Sequence, residues 1–122
     1  MEARERPSRP LRVLVIEDEP VIGIDLAERL SENGYSILGP FSRCAEVNEW
    51  LAHDVPDAAV INLHLADGSC EHAVRLLRGF GVAVVVFTGE DQIPEDLTDV
   101  VVVTKPAPVD HVVVALKKLT VG

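Results

Sequence analysis

The sequence predicts an α/β fold, a parallel sheet covered by helices on both faces, and three observations carry that expectation. Short apolar runs rich in β-branched residues recur along the chain: Val13 to Ile16, Ala58 to Ile61, Val84 to Phe87 and Val100 to Val103. Strands buried on both sides read as such continuous runs, whereas strict alternation marks a sheet with one wet face. A hydrophobic content of 48% with only 4% aromatics points the same way, because valine suits a sheet packed under helices. Each run also stops at polar residues: Glu17-Asp18, Asn62, Thr88 and Thr104-Lys105-Pro106. Polar groups at the carboxyl ends of parallel strands converge on one crevice, and that crevice is the candidate functional site.

Arg12 to Ile16 forms the first expected strand, and Pro20 follows where a helix tolerates a residue without an amide hydrogen. Ile22, Leu26 and Leu30, with Ala27 beside them, recur at helical spacing until Asn33-Gly34 ends the helix. Tyr35 to Leu38 is a second short strand closed by Gly39-Pro40, and Ser42 is placed to cap a helix running to about His53 with Val47, Trp50 and Leu51 inward. The central strand starts at Pro56-Asp57 and ends at Asn62. A turn at Asp67-Gly68 leads into a helix over Ser69 to Arg78, with Ala73, Leu76 and Leu77 inward.

Val82 to Phe87 is the fourth strand. Between Gly89 and Leu97, Pro94 leaves space only for a short or distorted helix in a weakly held segment. Val100 to Thr104 is the fifth strand, and Pro108 opens a last helix with Val109, Val112, Val113, Leu116 and Leu119 inward. Right-handed crossovers give the order 2-1-3-4-5, which sets Glu17-Asp18 and Asn62 face to face across the switch point between strands one and three. Val21, Ile24, Val102 and Val114 read as outward apolar residues.

At 122 residues the chain is expected to be one domain over 11–122, without an attached output module, preceded by a flexible tail over 1–10 that carries prolines and interleaved charges. The formal net charge of -9 argues against nucleic acid and against an anionic membrane, both of which need a concentrated positive surface. Nothing in the tail resembles a signal peptide or a span, so a cytoplasmic protein is expected. Cys44 and Cys70 fall in different helices without metal or redox spacing and are expected as reduced thiols. His53, His64, His72 and His111 lie at unrelated spacings, which does not suggest a histidine metal site.

From Leu11 onward the residues resemble the receiver domain of two-component response regulators, the flavodoxin-like (βα)5 fold. In that family an acidic pair after strand one helps to hold Mg²⁺, matching Glu17 and Asp18. A hydroxyl ending strand four contacts the phosphoryl group, matching Thr88 with Gly89 after it, and a lysine-proline pair after strand five matches Lys105-Pro106. The resemblance implies a phosphorelay role, with a histidine kinase, a phosphotransferase or a downstream regulator as protein partner. It also implies that the last strand and helix, with Val102 and Val114, are the face for dimerisation and output. A cis peptide before Pro106 is common at this receiver position.

The chain departs from the family at the central position, where the phospho-accepting aspartate aligns with Asn62. A carboxamide is a poor nucleophile because its lone pair is delocalised, so Asn62 is expected to be inactive as an acceptor. Replacing a carboxylate by an amide also removes a unit charge, worth about 4 kcal/mol near 4 Å at an effective dielectric of about 20 before screening. Mg²⁺ is therefore expected to bind weakly or not at all to Glu17, Asp18, the Asn62 oxygen and the main-chain carbonyl of His64. An amide also carries donors: Asn62 can donate to Asp18 or Glu17 while its oxygen accepts from Lys105, a metal-free network. Val102 stands where many receivers carry an aromatic switch, so that coupling to Thr88 is not expected here.

The expected function is a non-enzymatic, single-domain regulator acting through protein contacts. One rival is an ordinary phosphorylatable receiver with an engineered aspartate-to-asparagine change. Another is a flavodoxin-like cofactor carrier, which Glu17-Asp18-Glu19 opposes by repelling phosphate after strand one.

Overall fold

A computed structural model describes residues 9–89, 93–97 and 99–120. Along the chain run β1 (Arg12–Ile16), α1 (Pro20–Glu32), β2 (Ser36–Phe41), α2 (Cys44–Leu51) and β3 (Ala58–Ile61). There follow a small hairpin of β4 (His64–Leu65) and β5 (Gly68–Ser69), then α3 (Glu71–Gly79), β6 (Ala83–Thr88), β7 (Val101–Thr104) and α4 (Val109–Thr120). The main sheet is parallel with order β2-β1-β3-β6-β7. With the hairpin set aside, this is the expected 2-1-3-4-5.

The period of two along each strand divides the core into two layers. Leu14, Ile16, Ala59, Ile61, Val84 and Val86 face Val47 and Leu51 of α2 and Ala73, Val74 and Leu77 of α3. Val13, Val15, Ala58, Val60, Val85 and Phe87 face Leu26 and Leu30 of α1 and Val112, Val113 and Leu116 of α4. As expected, Val21, Ile24, Val102 and Val114 are exposed. Leu119, expected inward, is exposed as well, so the buried stripe of α4 is Val112, Val113 and Leu116.

Several local expectations are corrected. β2 does not stop at Leu38 but continues through Gly39-Pro40 to Phe41, with an irregular register opposite Leu14 to Ile16. Gly39 makes this feasible with φ of 106°, and the Gly39-Pro40 peptide is cis. Ser42 is not the cap of α2. The helix starts at Cys44, and its first amides are taken by Asp67, whose carboxylate accepts from Cys44 N at 2.8 Å and Ala45 N at 3.1 Å.

Among the described residues no helix stands between β6 and β7; a turn follows Pro94 instead, and residues 90–92 and 98 lie outside the description. The described part of this segment and Asp99 after it make contacts with α3 and the core. Leu97 is buried, Asp96 accepts from Arg75 at 2.6 Å, and Asp99 accepts from Arg78 at 2.6 Å. Cys44 and Cys70 are joined in a disulfide, contrary to the expectation of reduced thiols. The fold brings the starts of α2 and α3 together, a proximity that sequence spacing does not reveal. Of the expected tail, Arg9 pairs with Asp57 at 2.7 Å, and residues 1–8 lie outside the description.

Candidate functional site

The site is built where the five strands of the main sheet end. Asn62 N donates to Ile16 O at 2.9 Å and Glu17 N to Phe41 O at 2.8 Å, so the ends of β3, β1 and β2 are pinned side by side. Lys105 N donates to Thr88 O at 2.8 Å, which fixes the end of β7 against β6, and the Lys105-Pro106 peptide is cis, as the resemblance implied. Glu17, Asn62 and Thr88 are the buried polar residues of the described chain. A buried carboxylate survives only when it is paired and hydrogen-bonded.

Glu17 meets that condition on both oxygens. Lys105 Nζ donates to its Oε1 at 2.9 Å, while Asn62 Nδ2 and Glu19 N each donate to Oε2 at 3.2 Å. The Asn62 amide also lies 3.5 Å from Asp18 Oδ1. The expected donation from Asn62 to the acidic pair is present, whereas its expected acceptance from Lys105 is not. The Asn62 oxygen accepts from His64 N at 3.3 Å, and Lys105 reaches Glu19 Oε1 at 3.2 Å instead. An ammonium gains more from two carboxylates than from a neutral amide oxygen, which explains the choice. Glu19 is thus a site residue that motif reasoning passed over, although it completes the acidic run Glu17-Asp18-Glu19.

Lys105 Nζ also lies 5.2 Å from the centroid of the Phe87 ring, a cation–π contact. Beside it opens a cleft of about 390 Å³ lined by Glu19, Ile22, Phe87, Lys105, Pro106, Ala107 and Val109. Val102 is exposed and sits in register with Val86, with no ring to swing toward Thr88.

The oxygens available to a cation are those of Glu17 and Asp18, the Asn62 amide oxygen and the His64 main-chain carbonyl. This set does not fit Mg²⁺ as it is arranged. The amide turns its N–H donors toward both carboxylates, where a cation would need acceptors, and an ammonium already holds Glu17. Among the described residues no group of three or more His, Cys, Asp or Glu side chains is placed to hold a metal. No helix among them is long and apolar enough to cross a membrane.

Comparison with known proteins agrees with this geometry. No family model matches the sequence. The response regulator MprA of Mycolicibacterium vanbaalenii is 33% identical over 89 residues, covering 70% of this chain and 38% of that protein. The transcriptional regulatory protein PdtaR of Mycobacterium tuberculosis is 39% identical over 56 residues, 46% of this chain and 27% of that protein. The chain therefore spans well under half the length of these relatives. The receiver domain of the PhyR response regulator from Erythrobacter litoralis superposes with a TM-score of 0.77 at 29% identity, covering 90% of this chain and 89% of that one. The chain belongs to the receiver domains of two-component response regulators.

Proposed function

We propose that this receiver domain signals by binding a protein partner and does not carry a phosphoryl group at residue 62. The observation behind this reading is the orientation of Asn62, whose amide donates to Glu17 and Asp18 and so occupies the place where an acceptor carboxylate and its cation would act. The carboxamide lacks a nucleophilic lone pair, Lys105 is committed to Glu17 and Glu19, and any divalent cation must displace that ammonium and turn the amide. Mg²⁺ binding is accordingly weak or absent, and the domain performs no turnover. In this reading Thr88 and Lys105 stand where phosphoryl-contacting groups stand in the family, while the Lys105 ammonium is held by Glu17 and Glu19.

The partner is a protein: a histidine kinase, a phosphotransferase or a downstream regulator. The exposed side chains of Val102 on β7 and Val114 on α4 support that face as its contact surface or as a homodimer interface. The test is incubation with a small acyl-phosphate donor and Mg²⁺, read by intact mass. The unaltered chain is expected to gain nothing, and Asn62→Asp to gain a base-labile phosphoryl group. A base-labile phosphoryl group on residue 62 of the unaltered chain would overturn the reading.

A further inference from the structure

We propose that Cys44 and Cys70 form a thiol–disulfide site at which a small-molecule or protein dithiol reductant releases the loop that follows Asn62. Cys44 is the first residue of α2, and Cys70 stands immediately before α3; their bond closes a span that contains α2, β3, Asn62 and the β4–β5 hairpin. The other fastenings of the loop lie close by. Cys70 N donates to Leu63 O at 2.7 Å, and Asp67 accepts from Cys44 N and Ala45 N. His64 N reaches the Asn62 oxygen at 3.3 Å. Most residues of the hairpin are exposed, and Leu65 is the buried apolar side chain between Leu63 and Cys70. The disulfide is therefore the covalent member of a clasp whose other members are single hydrogen bonds, each worth about 1 kcal/mol.

The two sulfurs are not equivalent. As whole residues, Cys44 retains 8% exposure and Cys70 none, so Cys44 is the nearer to solvent and its sulfur is taken as the one attacked. Attack there forms a mixed disulfide on Cys44 and expels the Cys70 thiolate; both cysteines lie at helix amino ends, Cys44 of α2 and Cys70 of α3, where the peptide dipoles favour negative charge. A second thiolate, the other thiol of a dithiol or a second glutathione molecule, resolves the mixed disulfide and releases Cys44. In sum the reductant's two thiols are oxidised to a disulfide, two electrons pass to the Cys44–Cys70 bond, and both cysteines end protonated. Glutathione and thioredoxin-type dithiols are the reductant classes that supply this chemistry. With the bond open, the hairpin is held by the Asp67 and Cys70 amide hydrogen bonds and by buried Leu65, and the hydrogen bond from His64 to Asn62 loosens with it.

The experiment uses the full chain and needs neither a partner nor a phosphodonor, so its failure leaves the reading of Asn62 untouched. Denaturing alkylation without reductant, followed by intact mass, counts free thiols across a glutathione titration, while hydrogen exchange is followed on the segment 62–70. Expected are no alkylated cysteine under oxidising conditions and two under reducing ones. Exchange in 62–70 should be about tenfold faster in the reduced form, with β6 unchanged. The double variant Cys44→Ser/Cys70→Ser should match the reduced protein and ignore the titration. Two free thiols under every condition, a bond that native glutathione and thioredoxin leave intact, or equal exchange in the two forms would each overturn the proposal.

Discussion

Glu17 is the residue on which the crevice depends, because its carboxylate is buried and needs all its partners. Lys105→Met removes the ammonium at 2.9 Å and leaves that charge with amide donors only. Urea denaturation should show a loss of about 1–3 kcal/mol, and Glu17→Gln/Lys105→Met should recover most of it because no charge is then left buried alone. An unchanged midpoint in Lys105→Met would contradict this account of the pair. Asp67 supplies a pH-dependent counterpart. The N–H groups of Cys44 and Ala45 hold its carboxyl below the usual carboxylate range. Such a group stabilises the fold above the ordinary carboxylate pKa and ceases to do so as pH falls through its lower folded value. Asp67→Ala should therefore melt at a lower temperature than the parent at neutral pH, and the gap should close in strong acid. At this scale the sequence reveals which polar residues meet, since Glu17, Asp18, Asn62, Thr88 and Lys105 each follow or end a strand. It does not reveal which bonds they choose. That choice follows from a competition between carboxylates and an amide for one ammonium, decided by the stronger pull of the charged oxygens.

At the scale of elements, the strands and helices that carry an unbroken apolar period are readable, and the failures fall where backbone or tertiary contacts override local signals. Gly39-Pro40 looks like a strand terminator. In the fold Gly39 adopts φ of 106°, and the strand runs on so that Phe41 O can receive Glu17 N. A Cβ at Gly39 would stand 2.7 Å from both Val15 O and Phe41 N. Gly39→Ala thus combines a disfavoured dihedral with a backbone clash beside β1, and should cost about 1–3 kcal/mol in chemical denaturation. A variant as stable as the parent would show that the strand end can relax without harm to the crevice. In the segment before β7 what local signals miss is a set of tertiary contacts. Its Gly and Pro content suggests weak attachment, yet Arg75 and Arg78 of α3 grip Asp96 and Asp99, partners separated by about twenty residues that no local pattern connects.

The whole molecule is a sheet with an apolar layer on each side, and the strands belong to both. Leu77 of α3 lies in one layer and Leu116 of α4 in the other; both are fully buried. The sole tryptophan, Trp50 on α2, packs against the layer that contains Leu77. If the layers were separate folding units, Leu116→Ala would leave the Trp50 signal in place and alter only the far side. The strands do not permit this, because Leu14 and Val15, or Val60 and Ile61, are consecutive residues whose side chains go to opposite layers. Loss of either layer withdraws the support of strands that the other requires. Leu77→Ala and Leu116→Ala should each lower stability by about 2–5 kcal/mol. In both variants Trp50 fluorescence and far-ultraviolet circular dichroism should follow one coincident transition, as a two-state domain requires. A Leu116→Ala protein whose helical signal melts ahead of its tryptophan signal would show that the sheet does not couple its two faces.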